Sequence, residues 1–438
     1  VEGDGRLERS RIVLLLWIFL LIAAVGTERE VLYNLWYLLT ALLVFSFLWA
    51  WTGVRWVRVE RQTRTARSQV GKMAEERLIV ENQGWMPKLW LEVRDHSTLP
   101  NHHLSWVINS LGARRSYTRT VQTRCLQRGR FTLGPLTLSS GDPFGLFKAS
   151  LELEEPQEAS FVVYPATVEV PAFAPLVGYL SGGEAMRRRT SYVTTNVSGV
   201  REYAPGDSFN RIHWLSTART GRLISKEFEL DPTADIWLFL DMQRSVQIEP
   251  AWSGLTAQQE ERMPWEVGPE LELVPSTVEY AVTIAASLAR HFVVHDRAVG
   301  FISYCPRREI IPADRGERQL TKILETLSVI GADGHIPMSE VIMAEGAHLS
   351  RNATVIIITS ADDTYWIAAA RDIRQRGVRA IAVLIETHSF GHLRSNEGLA
   401  TELAISGIPC YVVREGDSLT TALARPHSQA ITPVGRSA

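Results

Sequence analysis

The sequence predicts a multidomain chain: a pair of N-terminal transmembrane helices, an antiparallel β-sandwich of immunoglobulin-like kind, and a C-terminal doubly wound α/β domain. Three observations predict it. Two apolar runs, 12–25 and 31–51, stand almost back to back near the N-terminus. Short segments of alternating hydrophobicity, parted by turn residues, then fill 57–178. From 233 to 425, apolar runs alternate with helical patterns. A connector at 179–232 and a tail at 426–438 complete the division.

Composition sets the outer bounds. The 438 residues suffice for two or three domains. Lys and Arg number 46 against 48 acids, so no global charge points to nucleic acid. Cys125, Cys305 and Cys410 are far apart and form no Cys-x-x-Cys pair. A disulfide framework or thiolate zinc site is not expected; all three read as buried small apolar residues in a reducing compartment.

The N-terminal pair, placed at 1–56, decides the compartment. A spanning helix needs roughly 20 apolar residues. The second run meets that, while the first is short and would draw on its flanks. Only Gly26-Thr27-Glu28-Arg29-Glu30 separates them. Arg6, Arg9 and Arg11 precede the pair, and Arg55, Arg58, Arg61, Arg64 and Arg67 follow it. Basic flanks on both sides put both ends in the cytoplasm and the protein in the cell membrane. Trp49, Trp51 and Trp56 suit the interfacial belt. A cleaved leader ending near Ala24-Val25-Gly26 is the other reading of the first run. The chain opens on Val rather than Met, which leaves its true start open.

In the β region, Leu89, Leu91 and Val93 alternate with polar or outward residues, the period-two mark of a half-buried strand. Residues 116–126, 130–133, 136–138 and 161–164 read the same way. Many short strands without a long helical pattern give a sandwich. Within it, Gly141-Asp142-Pro143-Phe144-Gly145-Leu146-Phe147 has turn chemistry. It reads either as a docking loop or as a tight corner whose Phe144 and Phe147 finish the sandwich core; the corner is preferred.

The densest mixture of arginine, aromatic, acidic and turn residues lies at 199–228. Asp207, after Pro205-Gly206, is placed to cap a helix at 209–218, and Thr220-Gly221 to end it. Residues 223–228 then run on as a strand beside 236–240. Arg201, Tyr203, Gly206, Asp207, Arg211, His213, Trp214, Arg219, Lys226 and Phe228 form an expected clasp between the sandwich and the α/β domain. A catalytic reading would make His213 a base oriented by Asp207 or Glu227. The sequence contains no Gly-x-Ser-x-Gly, His-Glu-x-x-His or Gly-x-x-x-x-Gly-Lys, and no catalytic residue is assigned.

The spacing from Arg201-Glu202-Tyr203 through Arg211-Ile212-His213-Trp214 to Lys226-Glu227-Phe228, together with the 141–147 motif, resembles a bacterial and archaeal family named only as a domain of unknown function, number fifty-eight. The resemblance runs from roughly residue 61 to 423. The order of elements after 233 is also similar to a von Willebrand factor A domain. Such a domain implies a divalent metal held by Asp-x-Ser-x-Ser after the first strand, a later Thr, and an Asp after the fourth strand; hard oxygen ligands suit magnesium. Here the first motif is Asp241-Met242-Gln243-Arg244-Ser245, and Ser360 stands where the second acid is expected. Asp362 or Asp363 would serve only after a loop shift, and Ile336 holds the threonine's place. The site therefore reads as degenerate, with no cofactor expected.

Two His-x-x-x-His pairs, His291/His295 and His388/His392, read as structural. The acidic insertion at 248–275, with Trp252 and Trp265, is either a recognition patch or a solvated loop. The resulting expectation is a membrane-anchored cytoplasmic adaptor. The resemblance implies as partners a MoxR-type AAA+ ATPase and a transglutaminase-like membrane protein in a cell-envelope process. The rivals are a metal-dependent ligand-binding module using Asp241 and Ser245, and a hydrolase using His213.

Overall fold

A computed structural model describes residues 4–63, 66–102, 104–153, 159–173, 197–204, 212–228, 235–249, 273–351, 353–391, 395–396 and 398–427. The chain forms two compact units, Val1–Ala166 with Leu327–Val329, and Thr167–Thr326 with Ile330–Ala438.

The first unit opens with helices α1 (Asp4–Thr27) and α2 (Glu30–Val54). Among the described residues, only α2 is long and apolar enough to cross a membrane; the apolar part of the first helix, Arg11–Thr27, is shorter. The two pack on each other through the Trp17 and Trp36 rings, 5.6 Å apart. The indole of Trp17 also donates to Thr40 Oγ1 at 2.7 Å.

Among the described residues ten strands follow: β1 (Val57–Thr63), β2 (Arg67–Gln69), β3 (Met73–Asn82), β4 (Lys88–Asp95), β5 (Ser105–Leu111), β6 (Ser116–Arg124), β7 (Gly129–Leu133), β8 (Leu136–Gly141), β9 (Lys148–Leu153) and β10 (Ala159–Tyr164). They form sheets β1-β3-β6, β5-β4-β8-β9 and β2-β10-β7. All pairings are antiparallel except β2 with β10. The alternation in β3 turns Leu78 and Val80 inward onto Leu91, Val93, Ile108 and Leu138. Strands β1, β2, β5 and β9 had no sequence signal of their own; β1 and β9 are charged and mostly exposed along one face, so their place is set by pairing.

The end of α2 packs on the four-stranded sheet, along β4, β8 and β9. The buried residues of the helix are Ser46, Ala50, Gly53 and Val54, at helical spacing. A Cβ on Gly53 would lie 2.7 Å from Ser140 Oγ, so the closeness needs glycine. Lys88, only 2% exposed, donates to the Thr52 carbonyl at 2.5 Å and so satisfies a helix-end acceptor. Its burial lowers the ammonium pKa.

In the second unit six strands stand in the order β15 (Arg308–Asp314), β14 (Val299–Tyr304), β13 (Ile236–Leu240), β16 (Thr354–Thr359), β17 (Arg379–Ile385) and β18 (Cys410–Val413). All neighbours are parallel except the edge strand β15, which the sequence did not announce. Strand β16 is buried at every residue, as a strand covered on both faces must be. Helix α4 (Thr277–Val294) packs on β13, β14, β16 and β17. Val355, Ile357, Ala382 and Leu384 share a core with helices α6 (Met338–Gly346), α7 (Tyr365–Gln375) and α8 (Gly398–Ile405). Helices α5 (Glu317–Val329), up to Thr326, and α9 (Leu419–Ala422) complete the unit.

The sandwich stops short of the expected boundary at 178. Residues 167–173 belong to the second unit: the Val168 amide donates to Ser287 Oγ at 3.0 Å, and Phe173 stacks on Phe292 and Tyr411. Residues 174–196, including the arginine-bearing connector, and 250–272, holding Trp252 and Trp265, lie outside the described residues, as does 428–438.

The signature stretch forms its own small layer. Strand β11 (Val197–Glu202) pairs antiparallel with β12 (Ile224–Phe228), with helix α3 (Trp214–Thr220) between them. The expected pairing of 223–228 with 236–240 does not occur; β12 spends its edge on β11 instead.

Candidate functional site

The sheet order reverses direction between β13 and β16: the chain leaves β13 toward β14 and leaves β16 toward β17. Open α/β sheets bind ligands beyond the strand ends at such a switch point. Asp241 follows β13 there and is 2% exposed. Its Oδ2 accepts from Thr359 Oγ1 at 2.6 Å, and its Oδ1 from the Gln243 amide at 3.1 Å. The next layer fixes the loop. Gln247 donates to the Asp241 carbonyl at 2.6 Å, Thr277 to Gln247 at 2.6 Å, and Ser360 Oγ to the Val246 carbonyl at 2.8 Å. Gly334 threads beside the loop; a Cβ there would lie 2.7 Å from the Met242 carbonyl oxygen.

Burial pushes the Asp241 carboxyl up to about 6; the Thr359 and Gln243 hydrogen bonds hold it back and the Asp363 charge adds to the push. The residues here do not fit a hard-cation site. Both carboxylate oxygens already accept from protein donors, and the Ser360 hydroxyl is aimed at a carbonyl. Ser245 and Asp362 are exposed, and Ile336 sits where a threonine ligand is expected. Arg244, also in the motif, is exposed as well. Sequence reasoning missed Thr359 and Asn396. Asn396 is buried and donates to the carbonyls of Ser360 and Ile385 at 3.3 and 2.9 Å. Thr359 was visible as the polar residue ending an apolar run; Asn396, in a loop, gave no signal.

In the signature stretch, His213 and not Asp207 is the N-cap of the described helix. The Ser216 amide donates to His213 Nδ1 at 3.2 Å, and Ser216 Oγ lies 2.7 Å from the same nitrogen. The His213 amide donates to the Ile224 carbonyl at 2.7 Å, and the Ile224 amide to Thr217 Oγ1 at 3.1 Å. Tyr203 is tied by its amide to Leu223. Gly221, at φ 67°, ends the helix as expected of a glycine C-cap. Helix α3 has no buried residue: Trp214 is 65% exposed, Leu215 80%, and Arg219 is exposed too. Trp214 therefore does not serve as the packed anchor expected of it. Gly206, Asp207 and Arg211, with the side chains of Arg201, Lys226 and Phe228, lie outside the described residues.

The 141–147 loop forms the expected tight corner, but its aromatics are not placed as that reading had them. Asp142 is 2% exposed, and its carboxylate accepts from the Phe144 and Phe147 amides at 2.9 and 2.6 Å. Phe147 packs edge-on against Phe47 of α2, 5.9 Å away, and Phe144 is 53% exposed. Neither aromatic joins the sandwich core. Pro143 and Gly145, the latter at φ 70°, complete the turn.

Among the described residues, one group of three side chains brings ligand atoms within 4.8 Å of one another: Glu76, Asp95 and His102. Arg61 occupies the middle, 3.2 Å from Glu76 and 2.9 Å from Asp95. That guanidinium supplies the positive charge a metal would bring, so the group is an ion-pair cluster. His291 and His295 stack with rings 4.4 Å apart, and His295 Nδ1 donates to the His291 carbonyl, spending that nitrogen locally. His392 lies outside the described residues. Cys125 and Cys410 are buried, while Cys305 is only half-buried.

Residues 199–253 match the family described as "Protein of unknown function DUF58". The uncharacterized protein YeaD of Bacillus subtilis (strain 168) is 23% identical over 253 residues, covering 56% of this chain and 54% of YeaD. The chain thus spans about half the length of that curated relative. Both findings support that family. A CARDB domain from Pyrococcus furiosus is 21% identical over 24% of this chain and 91% of its own, with a TM-score of 0.18. The pilus adhesin SpaC from Lactobacillus rhamnosus GG is 10% identical over 44% of this chain and 29% of its own, with a TM-score of 0.30. Likenesses this slight assign no fold or function.

Proposed function

We propose that this protein is a membrane-anchored adaptor that binds other proteins and performs no catalysis itself. The observation that carries the reading is the exposure of Trp214 and Leu215 within the stretch that matches the family. Adjacent large apolar side chains on a helix without buried residues leave area for a partner, and tryptophan is enriched where interfaces concentrate their energy. In this reading α1 and α2 cross the cell membrane as a hairpin with both ends cytoplasmic. The sandwich is immunoglobulin-like, and the second unit is an A-type platform whose cation site has decayed. Its strand order and the engaged carboxylate of Asp241 support that view. The family resemblance supplies the partners, a MoxR-type AAA+ ATPase and a transglutaminase-like membrane protein. The sequence carries no phosphate-cradling loop, which assigns nucleotide chemistry to the partner.

A photocrosslinking residue at position 215, in the full chain in native membranes, tests this. The expected product is a covalent adduct with the ATPase, diminished by Trp214→Ala. That substitution should shift stability by no more than about 0.5 kcal/mol, as an exposed site allows. Adducts with lipid or with other copies alone would overturn the adaptor reading. The 2.7 Å contact of His213 with Ser216, here part of the helix cap, is the observation on which a hydrolase reading would rest. Turnover lost in both His213→Ala and Ser216→Ala would move the conclusion there. Saturable magnesium binding lost in Asp241→Ala would move it to a metal-dependent module.

A further inference from the structure

We propose that the 141–147 loop and the 82–88 turn of the sandwich dip into the surface of a phospholipid bilayer, seating the first unit at the membrane by its own aromatic side chains. The inference rests on the reading that α2 spans the membrane.

Position along the helix supplies the first argument. The apolar stretch 31–51 of α2 rises roughly 1.5 Å per residue, or about 31 Å, close to the thickness of a hydrocarbon core. Phe47 then lies about 6 Å inside the boundary at residue 51, by the same rise. Phe147 packs on Phe47, so the loop that carries it sits at that depth.

The loop is built for such a place. Asp142 takes the Phe144 and Phe147 amides on its carboxylate, the Gly145 amide donates to the Asp142 carbonyl at 3.1 Å, and the Asp142 amide to the Phe147 carbonyl at 3.2 Å. Backbone donors closed internally do not call for water, which is what an apolar surrounding demands. The loop's exposed side chains are Pro143 and Phe144, both apolar.

The neighbouring turn repeats the pattern. The Gln83 amide donates to the Trp56 carbonyl at 2.8 Å, immediately after the helix, and Lys88 reaches Thr52. Trp85 in this turn is 77% exposed. Trp56 and Trp90 are held at φ 58° and 49°, a conformation costly for bulky residues, and both remain more than half exposed. Trp90 adjoins Leu89, whose carbonyl accepts from Ser140, the residue in contact with Gly53. Arg55 lies over the Trp51 ring at 4.3 Å. Exposed tryptophans and a cation gathered at one helix end match the chemistry of the headgroup region.

The test uses the full chain in nanodiscs carrying nitroxide lipid, with an environment-sensitive fluorophore on single cysteines in a Cys305→Ser background. Phe144→Cys and Trp85→Cys are the probes. Val44→Cys reports the span itself, and Lys72→Cys reports the far end of β3, about 30 Å away at strand rise. Quenching at 144, 85 and 44 with none at 72 is expected. Quenching at 44 without quenching at 144 and 85 overturns the inference and leaves the span standing. Absence of quenching at 44 overturns the spanning reading and this inference with it.

Discussion

Asp95 and Asp241 are the same residue at the same kind of place, a buried strand end, in two different units, and their chemistry runs in opposite directions. Burial alone would raise the pKa of Asp95, but the His102 hydrogen bond, the Arg61 charge and Ser97 overcome it and bring the carboxyl down to about 2. Asp241 meets burial with two hydrogen bonds and, among the described residues, no paired cation, and its carboxyl rises to about 6. A pair of neutral donors thus fails to offset what a guanidinium and a histidine do offset. The sandwich has stored a charge cluster, whereas the α/β unit holds, at the switch point of its sheet, an acid that keeps its proton up to about pH 6.

The strongest way to break this comparison is to remove the cation. Arg61→Met removes the guanidinium from between Glu76 and Asp95, leaving His102 beside them, and should cost roughly 3–5 kcal/mol. Hydrogen exchange of the full chain should place that loss in β1, β3 and β4. An unchanged opening free energy there would mean the cluster is not held by its ion pairs.

Raising the pH gives the next largest effect. A carboxyl whose pKa rises on folding binds its proton more tightly in the folded state, so its stabilisation is present below the unfolded value. For Asp241 that stabilisation is lost as pH climbs from 3.8 to about 6. The change is roughly 3 kcal/mol, read from exchange of the β16 amides, and Asp241→Asn should flatten it. Asp95 provides the smaller and opposite limb. Its depressed pKa gives stabilisation above 3.8 that disappears as pH falls toward about 2. The loss is roughly 2 kcal/mol, visible in β4 amides. Limbs of the same sign would erase the contrast between the two units.

The sequence made some of this legible. Alternation placed Leu91 and Val93 inward, and the apolar run 354–358 located a strand covered on both faces. It did not show β9 or β15, whose exposed, charged residues become strands because a neighbour offers an edge. Asp241 was singled out by its position after an apolar run. Its partner Thr359 lies 118 residues away, a pairing no local pattern expresses. The signature stretch misled in a different way. Trp214 looked like an anchor because tryptophan is usually packed, yet the helix that carries it buries nothing.

The sequence by itself located the strongly apolar and strictly alternating elements, because hydrophobic period is a local property of the chain. It also determined that α2 has the length and apolarity of a membrane span. Only the tertiary structure decided which buried acids meet a cation, that Phe147 lies on Phe47, and that Gly53 admits Ser140. Those outcomes depend on atoms brought together from distant segments. Burial and the nearest charge act through space, at separations that position along the chain does not fix.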